Sequence, residues 1–277
     1  MHWIEAAALL ESVAERGPTP AMYANVNHAF HVLHRHQDEF PESEVRRILV
    51  DPSTTVYDGD RRGPVTNLNL LAEIFNQQFG YAGDWKLLSK FYQAYDKYYS
   101  CWKEDAIPFQ DNHYATLWDQ YALHLPSSQS LYNRERYLVK EISMLIRAKK
   151  VTKVLDIACG NGRLIKALAE KFPYCIFHGI DVEPTAITAA EMNRPQNCAF
   201  GVMNALQKLP WEQCDLVISA GLFDYLNDAH AERMLRRIQR YTTPKHMIIG
   251  NLRHHESEAM MELLRWKLIY REPVDLV

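Results

Sequence analysis

From Val151 onward, short apolar runs of β character alternate with stretches of helical period, and this alternation is what most constrains the fold. The β-type runs are Lys153–Ile157, Cys175–Ile180, Ala199–Met203, Leu216–Ser219 and Met247–Gly250. Helical spacing covers Leu164–Phe172, Thr185–Met192 and Glu232–Tyr241 between them, and Ser257–Tyr270 after the last. Strands and helices of this length build right-handed βαβ units, which place a parallel sheet between helical layers. Residues 151–277 are therefore expected to form a Rossmann-like, doubly wound α/β domain. Ligands of such sheets bind beyond the carboxyl ends of the strands, so the residues leaving each strand are the ones to read for chemistry.

Residues 1–150 follow a different rhythm. Apolar residues recur at helical spacing from Met1 to about Phe40, over Leu87–Tyr99 and over Glu135–Ile146. Proline and glycine punctuation at 17–20, 51–53, 58–64, 80–83 and 126–128 marks loops. A helical N-terminal region is expected, serving the second half as a substrate surface or lid.

Composition removes several classes of function. Apolar residues make up 47% and charged residues 23%, as in ordinary globular domains, which excludes disordered, collagen-like and coiled-coil chains. Thirty-one basic against thirty-four acidic residues give a net charge of −3, so no global basic field exists to draw nucleic acid or anionic lipid. No apolar run reaches the roughly 18 to 20 residues of a membrane span. The opening ten residues contain Glu5 and no basic cluster, unlike a secretory signal, and a cytoplasmic location is expected. The cysteines, Cys101, Cys159, Cys175, Cys198 and Cys214, are odd in number and widely spaced, which suits reduced thiols. His28, His31, His34 and His36 have partial helical spacing, but no carboxylate or cysteine completes a metal-ligand pattern, and no metal is expected.

The chemistry is concentrated after the first predicted strand. Val154–Ile157 runs into Ala158-Cys159-Gly160-Asn161-Gly162-Arg163 and then a helix. Gly160 and Gly162 admit conformations closed to other residues and let the backbone approach a ligand. The third position after Gly162 is Ile165, which breaks the dinucleotide pattern G-x-G-x-x-G, and no P-loop lysine is present. The second strand ends in Ile180-Asp181-Val182, the third in Met203-Asn204-Ala205 and the fourth in Ser219-Ala220-Gly221-Leu222.

This series of strand ends resembles the class I S-adenosylmethionine-dependent methyltransferases. The resemblance implies S-adenosyl-L-methionine as cofactor, held by Asp156, Ala158, Gly160, Gly162, Asp181, Val182, Asn204, Ala205, Ala220 and Gly221. Asp181 would accept the ribose hydroxyls, and Asn204 would lie against the adenine. Ala158 departs from the family, which has glycine there. Narrower segments, Gly80–Asp84, Tyr132–Leu138, Ser219–Leu226 and Trp266–Arg271, are similar to bacterial methyltransferases of the group named for the extracellular factor 3-hydroxypalmitic acid methyl ester, a quorum-sensing signal. That similarity covers roughly Gly80 to Val277 and implies O-methylation of the carboxylate of a hydroxy fatty acid or related acyl metabolite. Runner-up readings are a small-molecule N- or S-methyltransferase and a non-catalytic cofactor-binding module.

Each marker has two readings. Tyr81 can serve cofactor and catalysis, or Gly80–Asp84 can be a loop in which Gly83 supplies the turn and Asp84 caps the next helix. Arg134 and Arg136 are substrate ligands or solvated charges; Tyr225 stands at the methyl-transfer point or packs; His254 or His255 is a base or a loop residue. The class usually adds an antiparallel strand pair after the fifth strand, and Val277 comes before it. Either another segment covers the sheet edge, or an uncovered fifth strand invites pairing with another chain, in which case a homodimer or aggregation is expected.

Overall fold

The computed structural model describes residues 1–16, 23–51, 70–98, 117–210, 213–272 and 274. Five strands form one wholly parallel sheet in the order β3-β2-β1-β4-β5. They are β1 (Lys153–Ile157), β2 (Ile176–Asp181), β3 (Cys198–Val202), β4 (Leu216–Ser219) and β5 (His246–Ile249). The strand order reverses between β1 and β4, the place where open α/β sheets bind ligands. Among the described residues no strand follows β5.

By its contacts the chain forms two compact units: Met1–Tyr132 with His255–Lys267, and Asn133–His254 with Leu268–Val277. The helical unit contains α1 (Trp3–Arg16), α2 (Tyr23–Arg35), α3 (Glu42–Val45, continued as a π-helical turn, Arg46–Val50), α4 (Leu70–Asn76), α5 (Trp85–Tyr98), α6 (Leu117–His124) and α11 (Glu258–Leu263). Helix α7 (Pro126–Arg147) begins there and continues into the sheet unit, which also holds α8 (Arg163–Lys171), α9 (Pro184–Glu191) and α10 (Asp228–Thr242).

Period-2 alternation assigns each strand residue to a face. Val154, Leu216 and Ile218 pack with Leu138, Ile142 and Ile146 of α7 and Ile165 and Leu168 of α8. Leu155, Ile157 and Val217 pack instead with Phe223 and with Met234 and Ile238 of α10. The sheet is thus apolar on both faces, as a doubly wound fold requires. Asp215 fastens its amino-terminal edge, accepting the backbone N–H groups of Thr152 at 2.8 Å and Lys153 at 3.0 Å.

The core of the helical unit holds Phe30, Leu33, Phe75, Phe91, Tyr95 and Tyr121. Buried polar groups there are paired in two places: Tyr121 donates to Asn27, and Asp119 accepts the first amide of α4, that of Leu70, at 2.8 Å.

Two expectations need correction. Pro126–Ser128 is the first turn of α7 and not a loop, because proline fits a first helical position and the Ser128 hydroxyl bonds the Ala122 carbonyl. The helix expected over Ser257–Tyr270 ends at Leu263. Arg265 there adopts φ 64°, and the Arg265 and Trp266 amides donate to the Glu262 and Met261 carbonyls, a left-handed helix stop. Positions 17–20 and 52–64 and Cys101 lie outside the described residues. No described helix is long and apolar enough to cross a membrane.

Candidate functional site

The turn after β1 is held in left-handed conformations, with φ of 60° at Ala158, 55° at Gly160 and 72° at Gly162. The Cys159 amide donates to the Ile180 carbonyl at 3.0 Å, which ties the turn to β2. Gly162 has a second constraint: a Cβ there would stand 2.4 Å from the Phe200 ring of β3. Gly179 is confined in the same way, by Cys159 Sγ and Phe200, each 2.7 Å from a Cβ built on it. Gly162→Ala is therefore expected to cost about 2 to 5 kcal/mol, from the left-handed strain plus overpacking. Ala158 is exposed and already carries that strain, so Ala158→Gly is expected to be neutral or stabilising by up to about 1 kcal/mol. Denaturant unfolding of the two variants checks the opposite signs.

Asp181 closes β2 and is nearly buried. Its Oδ2 accepts the Gly160 amide at 2.8 Å and its Oδ1 accepts the Glu183 amide at 3.0 Å. The carboxylate is thus oriented on the glycine turn, and each oxygen retains acceptor capacity. Burial raises its pKa, and the backbone donors partly offset this. Val182, the next residue, leaves an apolar side chain 60% exposed.

Asp156 lies on the face of β1 that carries Val154, the face covered by α7, and is 3% exposed. Burial, with Asp181 adding repulsion, pushes its pKa up to about 8 against the pull of Arg134. Arg134, on α7, donates through Nη1 to the Ala220 carbonyl at 2.6 Å, and the same atom stands 3.5 Å from a Cβ built on Gly221. Its charge also acts on Asp224, a residue of the 3-10 turn Leu222–Tyr225 that follows β4. Asp224 is buried, and its Oδ1 accepts the Leu252 amide at 2.6 Å. Burial pushes its pKa up to about 6, and the Leu252 amide, Arg134 and Arg271 oppose the rise.

The carboxyl ends of β1, β2 and β4 thereby assemble Asp156, Ala158, Gly160, Gly162, Asp181, Arg134, Ala220 and Gly221 around the strand-order reversal. Asn204 follows β3, where its Oδ1 accepts the Leu206 amide at 3.0 Å and shapes a turn, and Ala205 is buried beside it. Tyr225 ends the 3-10 turn and is 39% exposed. His254 is exposed, with its ring centroid 5.1 Å from that of Tyr270. Arg136 is exposed on α7, whereas Arg134 is half-buried.

Other sequence candidates fall in the helical unit. Asp84 Oδ1 accepts the Lys86 and Leu87 amides at 2.8 and 3.0 Å, so Asp84 caps α5, and Gly80 and Gly83 have φ of 80° and 75°. Tyr81 is half-buried in that turn. His255 Nδ1 stands 3.0 Å from the Ser257 hydroxyl. His34 pairs with Glu262 and His36 with Glu39, and no cluster of three metal-ligating side chains occurs among the described residues. The four described cysteines are free, and burial raises the pKa of every one.

Sequence reasoning did not single out Asp224 or Arg271. The available signal was an acid inside the apolar run Leu222-Phe223-Asp224-Tyr225-Leu226, where an unpaired charge would be costly.

Comparison with known proteins finds a family match inside this unit and partial similarity to several methyltransferases. Over 46 residues the chain is 46% identical to the tRNA1(Val) (adenine(37)-N6)-methyltransferase of Vibrio cholerae, covering 17% of this chain and 19% of that protein. Over 130 residues it is 26% identical to the trans-aconitate 2-methyltransferase of Mycobacterium ulcerans, covering 42% of this chain and 48% of that one. The chain thus spans about a fifth and about half of the lengths of these relatives. Among solved structures, magnesium protoporphyrin IX methyltransferase from Synechocystis with bound SAH matches with a TM-score of 0.44 and 12% identity, covering 66% of this chain and 80% of that one. Residues 154–245, which carry the glycine turn, Asp181, Asp224, β2 to β4 and all of β1 but Lys153, match the family described as Methyltransferase domain.

Proposed function

We propose that the chain is an S-adenosyl-L-methionine-dependent methyltransferase whose acceptor is the carboxylate of a hydroxy fatty acid or a related acyl metabolite. The observation that carries the cofactor assignment is Asp181: an acid at the end of β2, oriented by the Gly160 amide, with acceptor capacity left for two ribose hydroxyls. The residues fit such a cofactor. Val182 offers apolar surface beside the acid, and the glycine turn admits close backbone approach.

When bound, the cofactor supplies a methyl group already activated by a sulfonium. Asp181 then fixes the ribose, and Arg134, anchored on Ala220, directs its remaining N–H donors to a carboxylate. Tyr225 supplies surface at the acceptor's entry. A carboxylate nucleophile is ionised at neutral pH and asks no proton transfer of the protein, so alignment and exclusion of water carry the reaction. In this reading a second copy pairs at the β5 edge. The acceptor reading is supported by the resemblance of the Gly80–Val277 segments and by the trans-aconitate methyltransferase relative, whose name gives a carboxylic acid.

A second reading has one observation in its favour. Asp224, with a pKa near 6 beside Arg134, suits removal of a proton from an amine or thiol acceptor. Transfer of labelled methyl to free or carrier-bound hydroxy fatty acids, and none to amines or thiols, is the expected result; the reverse pattern replaces the first reading with the second.

A further inference from the structure

The segment after α11 joins two loops of the sheet unit. The Ile269 amide donates to the Asp224 carbonyl at 2.8 Å, and the Arg271 amide donates to the Leu252 carbonyl at 3.0 Å. Asn251, on the loop that leaves β5, donates to the Ile269 carbonyl at 2.8 Å. Leu268–Arg271 is therefore threaded between the loop leaving β4 and the loop leaving β5.

The Arg271 side chain completes the clasp. It is 5% exposed. Nη1 donates to the Phe223 carbonyl at 2.7 Å and to Asn251 Oδ1 at 2.9 Å. Nη2 donates to the Leu226 carbonyl at 2.6 Å and to Asp228 Oδ1 at 2.8 Å. One planar fork thus spans both ends of the 3-10 turn Leu222–Tyr225. Asp224 faces it from inside the turn and reaches back through Oδ1 to the Leu252 amide. Loops at the carboxyl ends of strands are ordinarily the mobile part of such a fold, and here two are locked to one another. None of these bonds involves Gly160, Asp181 or Glu183, the groups that orient the cofactor acid.

We propose that Arg271, acting with Asp224, is a positioning residue for the methyl acceptor, fixing the turn that presents Tyr225 while leaving the cofactor subsite independent. This rests on the methyltransferase reading. A displacement of about 1 Å in a positioned group can cost about 100-fold in rate, so a loosened clasp acts on turnover before it acts on binding. Lysine keeps the charge but offers a single point of donation, which cannot span the Phe223 and Leu226 carbonyls together.

The test compares the native chain with Arg271→Lys and Asn251→Ala. The readouts are kcat and acceptor KM, the Kd for S-adenosylhomocysteine, and amide exchange over residues 223–226. The expected result is a fall of about tenfold or more in kcat/KM with Arg271→Lys, faster exchange in the turn, and a cofactor Kd within twofold of native. Asn251→Ala removes one acceptor of Arg271 and the tie to Ile269, so it gives a smaller fall of the same kind and carries the test if Arg271→Lys does not fold. Native kcat/KM in the folded variants, or losses of cofactor affinity that parallel the losses of turnover, overturns the proposal. A native chain that binds no S-adenosylhomocysteine overturns the underlying reading instead, which keeps the two failures distinct.

Discussion

Asp181→Ala will weaken binding of S-adenosylhomocysteine at least about 100-fold while leaving the chain folded. Hydrogen bonds to an ionised group contribute about 1.5 to 3 kcal/mol each, and the substitution removes the acceptor for two ribose hydroxyls at once. Two such bonds correspond to a loss of at least two orders of magnitude in Kd. The variant also releases the Gly160 amide, so the glycine turn loses the contact that sets its approach to the ligand. Asp181 is a member of neither core cluster of the sheet, so thermal unfolding is expected to stay cooperative. Asp181→Asn keeps an acceptor oxygen but loses the charge, and its affinity is expected to fall between those of the native chain and the alanine variant. Calorimetric titration of the three proteins reads all of this. An alanine variant that binds as tightly as the native chain removes Asp181 from the cofactor site.

The second large effect is a dependence of stability on pH that belongs to Asp156. Burial, and then Asp181, raise its pKa from an ordinary 3.8 to about 8 in the folded chain. Between those values the folded state holds a proton that the unfolded state has released. Stability therefore falls as pH rises through about 4 to 8, by as much as about 1.4 kcal/mol per unit for one group, and levels off above about 8. Asp181, also raised, adds to the same trend. Asp156→Asn removes the titrating proton while keeping the shape, so its stability is expected to vary less with pH and to exceed that of the native chain near pH 8. Urea midpoints measured from pH 5 to 8.5 for both proteins check this. Parallel curves would show that Asp156 is ionised in the folded chain across the whole range.

The sheet was legible because its signal is local and strong. Lys153–Ile157 and Leu216–Ser219 have the bounds read from their apolar runs, since both pair on either side within the sheet and are almost wholly buried. The run at Cys175–Ile180 is displaced by one residue. The Cys175 amide turns back to the Phe172 carbonyl, and the ladder extends instead to Asp181, whose carbonyl accepts the Met203 amide. Helix boundaries were harder wherever the stop carries no glycine. Arg265 occupies the left-handed position that glycine usually marks, so nothing in the sequence separated α11 from the strap that follows it. The serines at the start of α7 read as loop residues because their hydroxyls compete for backbone bonds, and here those bonds lie inside or beside the helix.

The candidate site was legible in its strand ends and not in its clasp. Asp156, Gly160, Gly162 and Asp181 stand close in sequence to the β strands that position them. Arg271 and Asp224 meet across 46 residues of intervening chain, through carbonyl groups that carry no side-chain signature. Asp84 shows the opposite case. Its spacing to the Lys86 and Leu87 amides is local, and the cap could be read directly.

The central claim is that the glycine turn and Asp181 form a site for an adenosyl cofactor. Calorimetric titration of the native chain with S-adenosylmethionine and S-adenosylhomocysteine tests it most directly. Saturable one-to-one binding of both is the predicted result. The absence of binding by either compound, in a chain that unfolds cooperatively, would contradict the assignment of the site.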